Sequence, residues 1–363
     1  MTRRGSGVRI PHGPPVEAPR PPVGALTRAA DSAAVTVRIG CLGAAKIANN
    51  ALFKPARDEP GAVVVAIAAR DRARAEAMAT KRGIPTVHGS YAELLADDGI
   101  DAVYVPLPNS HHAEWTIRAL EAGKHVLCEK PFTANAEEAE QVAAVARSTG
   151  LTVMEAFHWR YHPLAAHVLD VVASGDIGTV RNLDIAFCFP LPSRKDIRWQ
   201  ADLAGGAFMD AGCYAVHMAR TFACAGEPSV TSATARLRSP GIDSTLRAQL
   251  QFPDGGPTAT VTGSMWSVPR ITATITGEAG AIRVINPLAP QLWHRMTVTT
   301  PAGKRREKIS GRATYRHQLE AFVAAVEQGT PFPTTVDDAI ANMRVIDAAY
   351  RAAGLEPRRG SLD

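Results

Sequence analysis

From Val35 onward the chain alternates short apolar runs with longer amphipathic stretches. "VTVRIGCLG", "AVVVAIAAR", "DAVYVPLP", "HVLCEKP" and "LTVMEAF" read as strands buried on both faces, because their apolar residues are barely interrupted. Between them, "KIANNALFKPARD", "DRARAEAMATKRG", "SHHAEWTIRALEAG" and "AEEAEQVAAVARSTG" have helical spacing, and Gly83 and Gly123 close two of them. That rhythm predicts a doubly wound parallel sheet over residues 35–157.

After a helix at "RYHPLAAHVLDVVASGDIG" the apolar period shortens to two. "TVRNLDIAFCF", "SVTSATARLRS", "DSTLRAQLQF", "PTATVTGSMW", "ITATITGEAGAIRVI" and "QLWHRMTVTT" predict a large, mostly antiparallel sheet with helices on one face. An uncovered apolar face would invite aggregation, so the sheet is expected to pack on a copy of itself in a homodimer or homotetramer. Two helices close the pattern, the second with Thr335 to Asp338 as its capped first turn. The fold class expected is α/β: an N-terminal Rossmann doubly wound parallel sheet plus a C-terminal α+β domain with an open-faced sheet. The second domain spans 158–354 and includes C-terminal helices over 312–353, with 355–363 as a tail. Residues 1–34, rich in Pro, Gly and Arg, read as a disordered extension.

Composition narrows the function classes. No run approaches the roughly 18 apolar residues that a membrane helix needs. The net charge of +5 is modest and much of the basic excess lies at the chain ends, without a basic stripe interleaved with aromatics. Nucleic acid is therefore not an expected partner. Five cysteines, an odd number without a CxxC pair, suit reduced thiols in a cytoplasmic protein.

"GCLGAAKIA" lies where the first strand turns into the first helix, the place where a dinucleotide fold sets its pyrophosphate against a helix N-terminus. Read as GxGxxG/A, its members are Gly43, Ala45 and Ala48, so the middle glycine is absent. The second strand ends in Ala68-Ala69-Arg70, not in the acid that usually holds a ribose. A guanidinium at Arg70 suits a 2′-phosphate and hence NADP. A solvated Arg70, with Asp71 holding the ribose of NAD, is the alternative. "GKHVLCEKP" places Glu129 and Lys130 at the carboxyl end of a parallel strand, where ligands gather in such sheets.

Strand-end "EKP", the preceding "PLPNSHHAEWTIRALEAGKHV", "EAFHWRYHP" at the domain junction and "GGAFMDAGCY" resemble the Gfo/Idh/MocA oxidoreductase family over roughly Val37 to Gly354. The resemblance implies that Lys130 lies beside the reacting carbon and that Asp210 and the residue four later complete the catalytic set. That later residue is Tyr214, where many members have histidine, which is similar to the branch of glucose–fructose oxidoreductase, NADP-linked xylose dehydrogenase and dimeric dihydrodiol dehydrogenase. A sugar, polyol or diol CH–OH carbon exchanging hydride with NADP is the implied chemistry. Gly43, Ala45, Lys46, Ile47, Arg70, Leu107, Asn109, His112, Glu129 and Lys130 form the expected cofactor set.

On a helix, Asp210, Tyr214 and His217 fall at i, i+4 and i+7, on one face. Gly205 and Gly206 would let the backbone approach sugar and nicotinamide. His217 is expected in core packing, and Cys128 as a buried, inert thiol. Adjacent His111 and His112 make a poor metal pair, and no metal is expected. Arg160, His162 and Trp199 either line the sugar pocket or pack structurally. A cofactor-sensing regulatory protein on the same fold is the alternative function.

Overall fold

The computed structural model describes residues 36–362, so the expected disorder of residues 1–34 lies outside them. Six strands form the first sheet: β1 (Val37–Leu42), β2 (Ala62–Ala68), β3 (Thr86–His88), β4 (Ala102–Val105), β5 (His125–Cys128) and β6 (Val153–Glu155). They are parallel throughout, in the order β3-β2-β1-β4-β5-β6. Their connections carry α1 (Lys54–Asp58), α2 (Arg72–Arg82), α3 (Tyr91–Leu95), α4 (His112–Glu121) and α5 (Ala136–Thr149). Local chemistry sets these boundaries. Asp71, Ser90 and Asn135 each accept a backbone N–H at the start of α2, α3 and α5, and left-handed Gly83 and Gly150 end α2 and α5.

The helix expected over "KIANNALFKPARD" is present; it opens as a wide, π-type turn over Asn49–Phe53 and runs without a break into the short α1. β3 and α3 were not predicted, being too short to show a period.

The second sheet has eight strands: β7 (Val180–Pro190), β8 (Ser229–Ser239), β9 (Ile242–Gln251), β10 (Thr258–Ser264), β11 (Trp266–Gly277), β12 (Ala281–Ile285), β13 (Arg295–Thr300) and β14 (Gly303–Glu307). Their order is β14-β13-β12-β11-β7-β10-β9-β8, antiparallel except where β10 meets β7. The four helices α6 (Pro163–Ala173), α7 (Cys213–Ala223), α8 (Thr314–Gln328) and α9 (Val336–Ala352) accompany it. Apolar residues such as Leu183, Ile185, Leu246, Ala248, Val261 and Ile275 point to the helix-covered face and are buried.

The opposite face corrects the expectation of a bare apolar surface. Its alternate positions are Asp184, Thr245, Arg247, Gln249, Thr260, Thr262, Arg270, Thr272 and Thr274. Threonine is β-branched and so suits a strand, while its hydroxyl pairs across strands, as Thr260 does with Gln249 at 2.9 Å and Thr245 with Ser264 at 2.7 Å.

Two C-terminal features tie the halves together. α8, expected with the second domain, packs Leu319, Phe322 and Val323 into the core around Val37, Ile39 and Leu52 of the first. The segment expected as a tail is packed: Arg358 is buried against Asp243 at 2.7 Å, and its carbonyl accepts from Asn135 at 3.0 Å.

Candidate active site

The first component is the turn after β1. Gly43 has φ +115°, a conformation open to glycine, and a Cβ there would meet Leu107 Cδ2 at 3.2 Å. Leu107 therefore lies against the turn. Among the described residues, the backbone N–H groups of Ala44, Ala45, Lys46 and Ile47 have no protein acceptor. Unpaired N–H groups grouped before a helix form an anion-binding cradle. Ala45 is half-buried, whereas Lys46 and Ile47 are exposed.

Arg70 stands exposed just beyond β2. Arg74, one turn further on, donates to the Ala44 carbonyl at 2.9 Å and so lies against the same turn. Asp71 accepts the Arg74 N–H at 3.2 Å as the cap of α2. The acid that could have held a ribose is thus engaged in the helix start. A cradle of N–H groups with the Arg74 guanidinium against it, and exposed Arg70 at the end of the neighbouring strand, fits an anionic dinucleotide with an added phosphate.

Three further members of the expected cofactor set have protein partners. Asn109 donates to the Ala204 carbonyl at 3.0 Å, joining the loop after β4 to the loop before Gly205. His112 is buried, with its ring nitrogens each 2.8 Å from the carbonyls of Pro131 and Leu107. Burial pushes its pKa down to about 4, against the pull of both carbonyls. Glu129 accepts from the Tyr104 hydroxyl at 2.7 Å and from the Lys130 N–H at 3.3 Å. Burial raises its pKa, with the Lys130 charge opposing.

The second component gathers at the carboxyl end of β5. Lys130 Nζ donates to the Asp210 carbonyl at 3.0 Å and to its carboxylate at 3.2 Å, and lies 4.9 Å from the centre of the Tyr214 ring. Burial alone would lower the lysine pKa, but Asp210, Cys213 and Glu129 outweigh it and hold the ammonium form. Arg198, itself held by Asp196, reaches the other Asp210 oxygen at 3.4 Å. Asp210 thus sits between two cations. Burial pushes the Tyr214 hydroxyl well above its usual pKa.

Asp210 lies in a second wide turn, Phe208–Gly212, that runs into α7. Its two leading glycines have a different origin from the one expected. A Cβ on Gly205 would fall 2.6 Å from the Arg198 carbonyl oxygen, and one on Gly206 2.2 Å from Asp243 Oδ1. Close packing of protein on protein requires glycine here, so the expectation of ligand clearance is corrected. Asp243 Oδ2 then accepts the Phe208 N–H at 2.7 Å and fixes where the turn begins.

The remaining candidates disperse. His217 is buried in packing: it accepts from Trp159 at 3.1 Å, stacks on Phe157 and pairs with Asp338 at 3.0 Å. Arg160 faces the Asp338 side, and His162 caps α6 beside His317. Trp199 is buried with Arg238 stacked on it at 4.6 Å. Cys128 is buried, and burial raises its pKa. Sequence reasoning passed over Arg74, Arg198, His158 and Thr314. A signal existed for two of them: Arg74 is four residues from Arg70, and Arg198 directly precedes Trp199 in the chain.

Residues 37–157 match the sequence model of the oxidoreductase family with an NAD-binding Rossmann fold, and 165–283 match the GFO/IDH/MocA C-terminal domain. The chain belongs to the Gfo/Idh/MocA family of NAD-binding oxidoreductases. It is 41% identical over 320 residues to D-xylose 1-dehydrogenase (NADP(+)) 2 of Haloferax volcanii, covering 86% of this chain and 96% of that one. It is 37% identical over 230 residues to trans-1,2-dihydrobenzene-1,2-diol dehydrogenase of Mus musculus, covering 62% and 68%. Among solved structures, KijD10, a 3-ketoreductase from Actinomadura kijaniata in complex with NADP and TDP-benzene, superposes with a TM-score of 0.81 at 32% identity, covering 87% and 98%.

Proposed function

We propose that this chain is an NADP-dependent oxidoreductase that moves hydride between nicotinamide and a CH–OH carbon of a sugar or related polyhydroxy compound. The single observation that carries the reading is the convergence of Lys130, Asp210 and Tyr214 at the carboxyl end of the parallel sheet. The relatives named for NADP support the cofactor, and so do Arg74 beside the N–H cradle and exposed Arg70 just past β2. When bound, the nicotinamide supplies the hydride acceptor or donor. Tyr214 holds the proton of the reacting hydroxyl at its own oxygen. The Lys130 ammonium over its ring favours the phenolate that takes the proton in the oxidative direction. Asp210 holds Lys130 in place, and Arg198 keeps the carboxylate from turning away.

The test is absorbance of the reduced nicotinamide during incubation with NADP and a panel of pentoses, hexoses and vicinal diols, D-xylose included. Turnover with any of these is expected. Saturable NADPH binding without turnover across the panel would transfer the chain to the cofactor-sensing class.

A homodimer or homotetramer through the open face of the second sheet belongs to the same reading. Half-exposed Trp266, exposed Val268 and half-exposed Leu237, at irregular strand ends of this sheet, support a partner on the second domain, because large apolar side chains in water favour one. A monomer in light scattering at micromolar concentration would end it. No helix of the described residues is long and apolar enough to cross a membrane. Unbonded cysteines, four of the five buried, support a reducing compartment such as the cytoplasm.

A further inference from the structure

A line of hydrogen-bonding groups runs from Tyr214 into the core. The Tyr214 hydroxyl lies 3.2 Å from His158 Nε2, and His158 Nδ1 lies 2.8 Å from Thr314 Oγ1. All three residues are buried. They come from three separate elements: α7, the turn after β6 and the first residue of α8. The groups facing His158 are Tyr214 from α7, Thr314 and Tyr315 from α8, and Lys130 from the end of β5. Burial, with the Lys130 charge adding to it, pushes the His158 pKa down to about 3. The imidazole is therefore neutral and carries one N–H.

Two neutral arrangements satisfy the distances. In one, Nδ1–H donates to Thr314 and Nε2 takes the phenolic hydrogen of Tyr214, which turns that hydrogen away from any substrate. In the other, the Thr314 hydroxyl donates to Nδ1 and Nε2–H donates to the Tyr214 oxygen. Only the second leaves the Tyr214 proton, or the lone pair of its phenolate, free for a reacting hydroxyl. It also supplies a donor to a phenolate that burial would otherwise disfavour.

We propose that His158 is a positioning residue for Tyr214, held by Thr314 as the tautomer whose Nε2–H points at the phenolic oxygen. The inference rests on the reading of Tyr214 as the acid–base group. His158 itself gives up no proton, since an imidazolium beside Lys130 in a buried site is unfavourable.

Nitrogen-15 NMR of the full chain labelled at histidine reads the tautomer directly, with His158 assigned by the signal lost in His158→Gln. The expected result at neutral pH is an Nε2–H imidazole whose resonances move in Tyr214→Phe, persist in Thr314→Ser and change tautomer balance in Thr314→Val. An Nδ1–H form, an imidazolium, or no response to Tyr214→Phe overturns the proposal, and the wild-type spectrum decides even if Thr314→Val fails to fold. In turnover, Thr314→Val should lower kcat about ten-fold, the loss of one positioning hydrogen bond. The acid limb of its kcat profile should move to higher pH, with the KM for NADP unchanged and Thr314→Ser near wild type. Tyr214→Phe separates the two readings. If that variant keeps wild-type turnover, the acid–base role itself fails; if it is inactive while the tautomer is wrong, only the His158 assignment fails.

Discussion

The chain uses one backbone device twice, with opposite outcomes. Glycine, a wide π-type turn and a helix follow one another at Gly43 and Asn49–Phe53, and again at Gly206 and Phe208–Gly212. At the first, four backbone N–H groups have no protein acceptor among the described residues. At the second, the leading N–H is taken by Asp243, which is itself held by Tyr350 at 3.0 Å and Arg358 at 2.7 Å. The difference lies in who satisfies the helix start. A start left open can hold an anion, whereas one pinned at Phe208 by a carboxylate aims a side chain, here Asp210 toward Lys130.

Replacing each glycine by alanine breaks the comparison most directly. At Gly206 the added carbon would fall 2.2 Å from Asp243 Oδ1 and 2.7 Å from the Arg358 guanidinium, at φ +131°. Gly206→Ala is expected to lose about 3–4 kcal/mol in urea unfolding, through strain and a broken buried ion pair. Gly43→Ala meets only a flexible leucine methyl at 3.2 Å, so it should lose about 1–2 kcal/mol and show its main effect in weaker NADPH binding. Equal stability losses would mean that the two turns are built alike.

Lys130→Met removes the link between the Asp210 turn and the first sheet while leaving the cradle intact. Turnover should fall by about two or more powers of ten, roughly 2.7 kcal/mol of transition-state stabilisation, with NADP affinity retained. Unchanged turnover would remove Lys130 from the chemistry.

What could be read from the sequence follows the range of each interaction. Gly43, Lys130, Asp210 and Tyr214 stand in compact motifs whose spacing reports their geometry, and both sheets follow from apolar periods. The mostly charged β14, "GKRRE", has no apolar alternation because it is an exposed edge, where charge protects against further strand pairing. Contacts made across long separations left no local mark: His158 meets Thr314 from 156 residues away, and Arg358 meets Asp243 from 115. The glycines of "GGAF" carried a signal that was read for the wrong reason. Glycine reports that something approaches closely, and sequence alone does not say whether that is ligand or protein.

The cradle side can be sharpened through cofactor choice. Arg70→Ala should weaken NADP by roughly 1.5–3 kcal/mol and leave NAD nearly unchanged, the cost of one charge-assisted hydrogen bond to a phosphate. Ala69→Asp should act in the same direction by repelling that phosphate. The ratio of kcat/KM for the two cofactors measures both. A wild type that prefers NAD, or a ratio unmoved by either change, would leave the N–H groups as a plain pyrophosphate site.

The start of α5 supplies a third case, a helix N-terminus held by protein alone and incompletely. The Ala136 N–H donates to Asp347 Oδ2 at 3.0 Å, while Asp347 Oδ1 is buried without a partner. Burial pushes the Asp347 carboxyl up to about 6 from the usual 3.8. The folded state therefore binds this proton more tightly than the unfolded chain does. Stability falls as pH rises from about 4 to about 6, and the loss remains at neutral pH. Burial raises the Asp243 carboxyl as well, but Arg358, Tyr350 and the Phe208 N–H oppose it there, whereas Asp347 has only the Ala136 N–H and the charge of Arg351. Asp347→Asn keeps an acceptor for Ala136 and cannot ionise. It is expected to raise stability at neutral pH by about 1–2 kcal/mol, less than the full linkage because the helix start also loses a charge that favours it. Below pH 4 the gain should vanish. Urea midpoints at acid, intermediate and neutral pH decide the matter: parallel curves for variant and wild type would mean that the Asp347 charge is as well held as that of Asp243, and that the two helix starts differ in geometry alone.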